Sequence, residues 1–460
     1  MIRCSGFQGK RLAILGLGRT GISAAHALKA GGADISPWDD QEAGRSQATA
    51  QGLDLVDLNT VDFTTFDALI LSPGIPHTHP APHPLVIRAA NAQIPLIGDT
   101  ECFFQEKLHQ PVIGVTGTNG KSTTSALIAH LVRSLGQEVA LGGNIGVPVL
   151  DLPPLTSGLY VLELSSYQLE LTPSLDLDVA ILLNISPDHL ERHGGLDGYI
   201  AAKKRIFQNR SKPLRGIVSV DDPISLSIAT ELRRHEEGIF LPMSVQRSLD
   251  EGIFVTEGRL YDTTAPGWSC AVGEIQTLRG GHNAQNIAAS YGALRLLGFE
   301  PDAIQRGLAT FEGLPHRQEW VGNIQGVSYI NDSKATNVQA TVTALQAYED
   351  ASIYLILGGR PKEGGLAPLW GLTHSIAHGF LIGEAAEAFG VTLTLMGLPV
   401  TYSGTLDQAL EDGTQAALKD NRPDPVVLLS PGCASFDQFP HFEARGDRFR
   451  AWVKERQQSQ

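Results

Sequence analysis

Lys121, Ser122 and Thr123 close a run of glycines in IGVTGTNGKSTT, residues 113–124. Flexible glycine backbone, one ammonium and two hydroxyls are what a bound triphosphate requires. Backbone N–H groups form an anion nest. Lys121 can place its charge between the β- and γ-phosphates, and Ser122 offers an oxygen to Mg2+. The spacing departs from the usual G-x-x-x-x-G-K-[ST] loop: five residues separate Gly114 from Gly120, and two separate Gly117 from Gly120. The bland alternative is a glycine turn with a surface lysine. Against it, lysine, hydroxyls and a helix start coincide.

Magnesium takes oxygen ligands. Glu163 lies inside the apolar run VLEL of LYVLELSSYQLE, residues 159–170. A carboxylate there is costly to bury without a partner, and a cation is the natural one. A hydrogen-bonded core glutamate is the alternative. LLNISPDHLERHGG, residues 182–195, ends another apolar run with Asn184, Asp188 and His189 at its tip. His189 and His193 stand at i and i+4, which raises a zinc reading. Gly194 and Gly195 leave barely one helical turn to hold that pair, and H-E-x-x-H is absent, so zinc is set aside.

A second glycine cluster lies near the N-terminus. Gly16-Leu-Gly18-Arg-Thr-Gly21 spells G-x-G-x-x-G after one apolar run and before a helical pattern, with Asp39 and Asp40 about 20 residues on. Backbone N–H groups and a helix N-terminus there can face a pyrophosphate. Taken alone the motif points towards an NAD enzyme. A UDP-sugar is the other candidate ligand, and a ligand-free turn is the bland one.

These residues need elements to hold them. Apolar runs ending in glycine recur at 11–18, 67–74, 111–120, 353–359 and 426–432, each read as a buried strand and a tight turn. Helical patterns such as 125–136 and 286–298 lie between them. The alternation predicts α/β architecture with parallel sheets and helices on both faces, and ligands beyond the strands' C-terminal ends. Boundaries are expected near residue 98 and near GLPHR, 313–317. They give units of 1–98, 99–313 and 314–460. Segment 241–280 reads as irregular or antiparallel strands without chemistry.

Bulk composition limits the function classes. With 460 residues, 42% apolar and 18% charged, the chain is globular with room for about three domains. A net charge of -14 repels nucleic acid, so a bound anion needs a local site. Cys4, Cys102, Cys270 and Cys433 lie far apart and form no zinc or disulfide pattern. No signal-peptide pattern and no membrane-spanning apolar run is found, and a cytoplasmic protein is expected.

GVTGTNGKSTT, GGNIGVP (142–148), LELSSYQLE, NISPDHLERH and YIAAKKRIF (199–207) together resemble the Mur ligase family. These are the ATP-dependent amide-bond ligases that build the peptidoglycan stem peptide. That family writes its loop G-x-x-G-T-N-G-K-[ST], which accounts for the spacing. GGHNAQN (280–286), GLPHRQE (313–319), NDSKATN (331–337) and LLSPGCASFDQF (428–439) extend the resemblance over nearly the whole chain, and NDSKATN is similar to its D-glutamate-adding branch. The fold implied is three α/β domains: a Rossmann-like N-terminal one, a central P-loop ATPase-type one and a Rossmann-like C-terminal one.

The resemblance implies the chemistry too. ATP phosphorylates the carboxylate of UDP-N-acetylmuramoyl-L-alanine, and the amino group of D-glutamate attacks the acyl phosphate. Two Mg2+ ions assist, and a carbamate forms from CO2 on Lys203. Gly117, Thr118, Asn119, Gly120, Lys121, Ser122 and Thr123, with Asn283, Arg317 and Asp332, would bind ATP. Ser122 and Glu163 would ligate the first ion; His189 and carbamylated Lys203 would serve the second. Lys204 is one residue away, and the AAK match favours Lys203.

The resemblance assigns the N-terminal glycines to the UDP-sugar instead of NAD. Gly18, Arg19, Thr20, Asp39, Ser72, Gly74, Asn144, Gln168 and His189 would contact that substrate. Lys334, Thr336, Lys362, Ser435 and Phe442 would form the D-glutamate pocket, with Arg360-Pro361 a departure from the family's usual approach to that lysine. Partners are small molecules only, without nucleic acid or membrane insertion, and a monomer is expected. Rival readings are another amino-acid ligase of the family, an NAD dehydrogenase and a nucleotide-dependent binding protein.

Overall fold

The computed structural model describes residues 1–208, 213–234, 238–361 and 365–458. It divides into two compact units: Met1–Val272 with Ala284–Thr310, and Gly273–Asn283 with Phe311–Gln460.

The first unit holds two sheets. β1 (Arg11–Leu15), β2 (Asp34–Trp38), β3 (Ala68–Leu71) and β4 (Leu96–Ile97) pair in parallel in the order β2-β1-β3-β4. The order reverses between β1 and β3, so the turns after them flank a crevice. The second sheet comprises β5 (Val112–Thr116), β6 (Val139–Gly143), β7 (Leu159–Glu163), β8 (Val179–Leu182), β9 (Arg215–Ser219), β10 (Ile239–Ser244), β11 (Ile253–Thr256), β12 (Arg259–Asp262) and β13 (Ser269–Ala271). Its order is β13-β12-β11-β10-β9-β8-β5-β7-β6, which seats β5 between β8 and β7.

Segment 241–280 is more regular than its sequence suggests. β10 runs parallel to both β9 and β11, so the parallel sheet continues into it, and only the β11–β12 and β12–β13 pairings are antiparallel. The short loop between β11 and β12 is a hairpin, whereas a helix, Pro223–Leu232, precedes β10 and supplies the parallel crossover.

The two sheets of this unit share a core. One apolar cluster runs from Leu12, Ile14 and Leu28 through Phe103 to Tyr160 and Leu162.

In the second unit, β14 (Glu319–Ile324), β15 (Val327–Asn331), β16 (Ser352–Gly358), β17 (Ile376–Ile382), β18 (Val400–Gly404) and β19 (Pro425–Leu429) follow the order β14-β15-β19-β16-β17-β18. Only β14 is antiparallel. Along β16, Ile353, Leu355 and Leu357 enter one core cluster and Tyr354 and Ile356 another. Both faces are buried, which is why this strand reads as an unbroken apolar run. Among the described residues no helix is long and apolar enough to cross a membrane.

Candidate active site

The loop after β5 is shaped by close contacts at its glycines. Gly120 adopts φ +86° as N-cap of the helix Lys121–Ser134. A Cβ there would lie 2.5 Å from Asn286 Oδ1, and one on Gly117 would lie 2.9 Å from Leu183 Cβ. Gly114 plays a different part. It is a buried strand residue packed under Leu177, where a side chain would clash at 2.5 Å.

Neighbouring strands hold the loop open. Asn184, two residues beyond β8, accepts from Asn119 N through Oδ1 at 2.9 Å, and its carbonyl accepts from Thr118 N at 2.9 Å. Its amide also donates to Gln285 Oε1 at 2.8 Å. Asn286 accepts from Thr124 Oγ1 at 3.0 Å. Thr118 Oγ1 meets Tyr199 OH at 3.1 Å and donates to Ser186 O at 3.1 Å.

Two lysines converge on this loop. Lys121 Nζ donates to Gly117 O at 2.8 Å and Thr118 O at 2.9 Å. Lys203 Nζ donates to the same Gly117 O at 2.8 Å and lies 4.7 Å from the Tyr199 ring centroid. Lys203 is 2% exposed. Burial, and then the Lys121 charge, bring its pKa down to about 7. Lys204 points elsewhere, pairing with Glu231 at 2.5 Å near the surface. Burial thus separates two lysines that sequence alone leaves one residue apart.

Strand register brings a carboxylate alongside. Val115 of β5 is the partner of Glu163 on β7, and Glu163 in turn faces Gly143 on β6. Glu163 is buried. Its Oε1 accepts from Asn144 Nδ2 at 2.7 Å, while its Oε2 has no hydrogen-bond partner. A buried carboxylate oxygen without a donor is costly, and a hard cation is the group that would satisfy it.

His189 and His193 take different environments. His189, at φ +50° before the short helix Leu190–His193, is half exposed beside Asp188. His193 is buried, with Nδ1 3.2 Å from Glu170 and Nε2 3.0 Å from Ser166 Oγ. Among the described residues no group of three or more His, Cys, Asp or Glu is placed to hold a metal ion.

The crevice at the first sheet is a cavity of about 590 Å3. Gly18, Arg19 and Thr20 line it after β1, Asp39 after β2, and Ser72 and Gly74 after β3. Asn144 and Gln168 complete it from the second sheet. His189, expected with them, is not among its lining residues. Gly16 has φ +91°, and a Cβ on Gly21 would lie 1.8 Å from Gly16 O, so the strand–helix turn needs both glycines. Gly18 instead faces open space. Asp39 accepts from Leu17 N at 2.6 Å and Gln41 N at 2.8 Å, so its carboxylate shapes the turn. Gln168 forms a capping box with Ser165.

In the second unit, buried Asp332 follows β15 and accepts from Ser430 Oγ at 2.8 Å and Gln318 N at 3.2 Å. Burial raises its pKa to about 7. Lys334 Nζ lies 5.8 Å from the Phe442 ring centroid. Thr336 is half-buried and Ser435 buried. Asn283 is buried and donates to Arg279 O at 2.9 Å; Arg317 is half-buried. Lys362 lies outside the described residues. Arg360 turns to Glu384 at 3.2 Å.

Arg445 was not foreseen. It is fully buried and ties Ser333 to Cys433 through its Nε and Nη2 atoms. Like those of Tyr199, Gln285 and Asn286, its contacts reach residues distant in sequence, which local spacing does not display. Asn184 is signalled locally, as a polar residue at a strand tip.

Comparison with known proteins matches the two glycine turns to one family. Residues 115–294 match the Mur ligase middle domain, and residues 10–98 match the Mur ligase MurD-like N-terminal domain. The UDP-N-acetylmuramoylalanine–D-glutamate ligase of Paramagnetospirillum magneticum is 48% identical, over 99% of this chain and 98% of that one. Its namesake from Caulobacter sp. (strain K31) is 46% identical over 98% of each. The crystal structure of UDP-N-acetylmuramate–alanine ligase from Thermotoga maritima shares the fold at a TM-score of 0.58, with 17% identity over 98% of this chain and 100% of that chain. With nearly half of all residues identical over almost the full length, the chain belongs to the Mur ligase family.

Proposed function

We propose that this chain is an ATP-dependent ligase that joins D-glutamate to UDP-N-acetylmuramoyl-L-alanine in peptidoglycan precursor synthesis, releasing ADP and phosphate. The relatives that carry this activity in their names support the reading, and the match of residues 10–98 replaces the NAD reading of the N-terminal glycines. The observation that carries it is local. Two lysine nitrogens end on one carbonyl of the phosphate loop, and a buried carboxylate oxygen without a donor lies on the adjacent strand.

The chemistry follows from these residues. The N–H groups of Thr118 and Asn119 are taken by Asn184, so those at the helix start, from 120 to 123, with Lys121 hold the triphosphate in line with the substrate carboxylate. A carboxylate oxygen bonds to the γ-phosphorus and ADP leaves. The D-glutamate amine then bonds to the acyl carbon, phosphate leaves and the amine loses a proton. Lys121 neutralises charge on the transferring group. Mg2+, when bound, supplies further charge neutralisation on phosphate oxygens.

Ser122 and Glu163 would hold one Mg2+, and His189 with Lys203 a second. Lys203 fits this role as a carbamate. Burial and the Lys121 charge favour its neutral amine. That amine would bond to CO2 and lose a proton, and the resulting carbamate would offer an anionic oxygen to the second ion. The cavity residues Gly18, Arg19, Thr20, Asp39, Ser72, Gly74, Asn144 and Gln168, with His189, would serve the UDP-sugar. Asn283, Arg317 and Asp332 would serve the nucleotide. Lys334, Thr336, Lys362, Ser435 and Phe442 would receive D-glutamate, whose two carboxylates call for lysines and hydroxyls.

Three domains, 1–98, 99–313 and 314–460, a cytoplasmic location and a monomer complete the reading. Phosphate release with ATP, Mg2+, UDP-N-acetylmuramoyl-L-alanine and an amino-acid panel tests it. Release is expected with D-glutamate; release with L-glutamate or lysine but not D-glutamate would overturn the assignment.

A further inference from the structure

We propose that Arg192 is a positioning residue for the UDP-bearing substrate, acting through the turn 73–75 without touching the substrate. The inference rests on the cavity beside β1 and β3 being the UDP site.

Arg192 lies in the helix Leu190–His193. Its Nη1 donates to Gly74 O at 3.0 Å, and its Nη2 to Ile75 O at 3.1 Å and Pro73 O at 3.4 Å. Three successive carbonyls of one turn therefore meet one planar cation, a geometry that suits guanidinium and not ammonium. The cation also sits 4.9 Å from the ring centroid of Tyr167, the residue before Gln168. Arg192 Nε is buried without a hydrogen-bond partner. The side chain thus tolerates an unmet donor to keep this place, and the carbonyl contacts offset that cost.

The turn is a wall of the cavity. Pro73, Gly74 and Ile75 all line it. Ser72, the residue before it, is held by its Oγ donating to Gly16 O at 2.8 Å and by Ile75 N donating to Ser72 O at 3.0 Å. Arg192 holds the turn itself. In a trans peptide C=O and N–H point in opposite directions. Fixing the Pro73 carbonyl on Arg192 therefore directs the Gly74 N–H away from the cation. Arg192 is half-buried and belongs to a stretch, NISPDHLERH, whose Asn184 and Ser186 bond to the phosphate loop. Its guanidinium instead reaches the turn after β3, on the first sheet.

The test is UDP binding to the full chain by calorimetry, with the wild type, Arg192→Met and Arg192→Lys. Arg192→Met should weaken UDP on the order of tenfold, as a misplaced wall would. Affinity for a non-hydrolysable ATP analogue should change less than about twofold, and KM for the UDP-substrate should rise with kcat nearly unchanged, the pattern of lost ground-state binding. Arg192→Lys should recover part of the loss. A purely structural role would instead weaken both ligands together, and that result overturns the proposal. Equal UDP affinity in Arg192→Met overturns it as well; should that variant not fold, equal affinity in Arg192→Lys does so. A wild type that binds the ATP analogue but not UDP overturns the reading of the cavity, and the role of Arg192 with it.

Discussion

The turn after β1 and the loop after β5 begin alike. Each follows a buried parallel strand, opens a helix and sits where its sheet's strand order reverses. Each contains glycines that no other residue could replace without backbone overlap or a strained φ. They part company in charge. The first turn is braced by a carboxylate, Asp39, on the N–H groups of Leu17 and Gln41. The second receives two lysine nitrogens on a single carbonyl. Glycines supply access to backbone N–H groups in both places, and the side chains brought by neighbouring strands decide how much negative charge each can hold. A triphosphate under transfer suits the second. A ligand held by shape and by many dispersed contacts suits the first.

The sharpest way to break this contrast is Lys121→Ala. Turnover should fall on the order of a thousandfold, as when a transition-state charge partner is removed. UDP affinity, measured by calorimetry, should stay within about twofold. Loss of both would mean that the two turns act as one site.

Lys203→Ala comes next. Turnover should fall on the order of a hundredfold, the scale of a disturbed metal environment. Formate or acetate should restore part of it in a steady-state assay, because a free carboxylate can stand where the carbamate would be. Absence of rescue would leave Lys203 as a loop brace only.

Glycine substitutions sharpen the comparison inside the first turn. Gly21→Ala should cost about 2–3 kcal/mol through overlap with Gly16 O. That is a fall of about 3–5 °C in thermal midpoint by scanning calorimetry. Gly18→Ala meets open space and should leave the midpoint nearly unchanged while weakening UDP binding.

The smallest effect is expected from Asp39→Asn. One backbone donor would face an amide instead of a carboxylate oxygen, at a cost of about 1–2 kcal/mol in urea unfolding. An unchanged midpoint would show that the carboxylate does not brace the turn.

Much of the site was legible because turn chemistry is local. The loop at 113–124, the N-terminal glycines, the carboxylate in VLEL and the polar strand tip at 184–189 can all be read from spacing and residue type. The resemblance makes Asp39 a substrate contact. It does line the cavity, yet its carboxylate also braces Leu17 and Gln41, a role no local pattern displays. The contacts of Arg192, Tyr199 and Arg445 are hidden for the same reason, although Arg192 and Tyr199 stand inside motifs read from the sequence. Each is defined by what it touches far away in the chain.

By itself, then, the sequence determined the alternation of strand and helix, the two glycine turns and the resemblance to a ligase family. The tertiary structure decided the rest. Parallel register set Glu163 beside Val115, burial placed Lys203 on the phosphate loop and left Lys204 near the surface, and the packing of two sheets gathered residues from 18 to 168 around one cavity. The reason is physical. A turn is specified by the φ values of a few adjacent residues, whereas convergence depends on strand order and on which side chains lose contact with water.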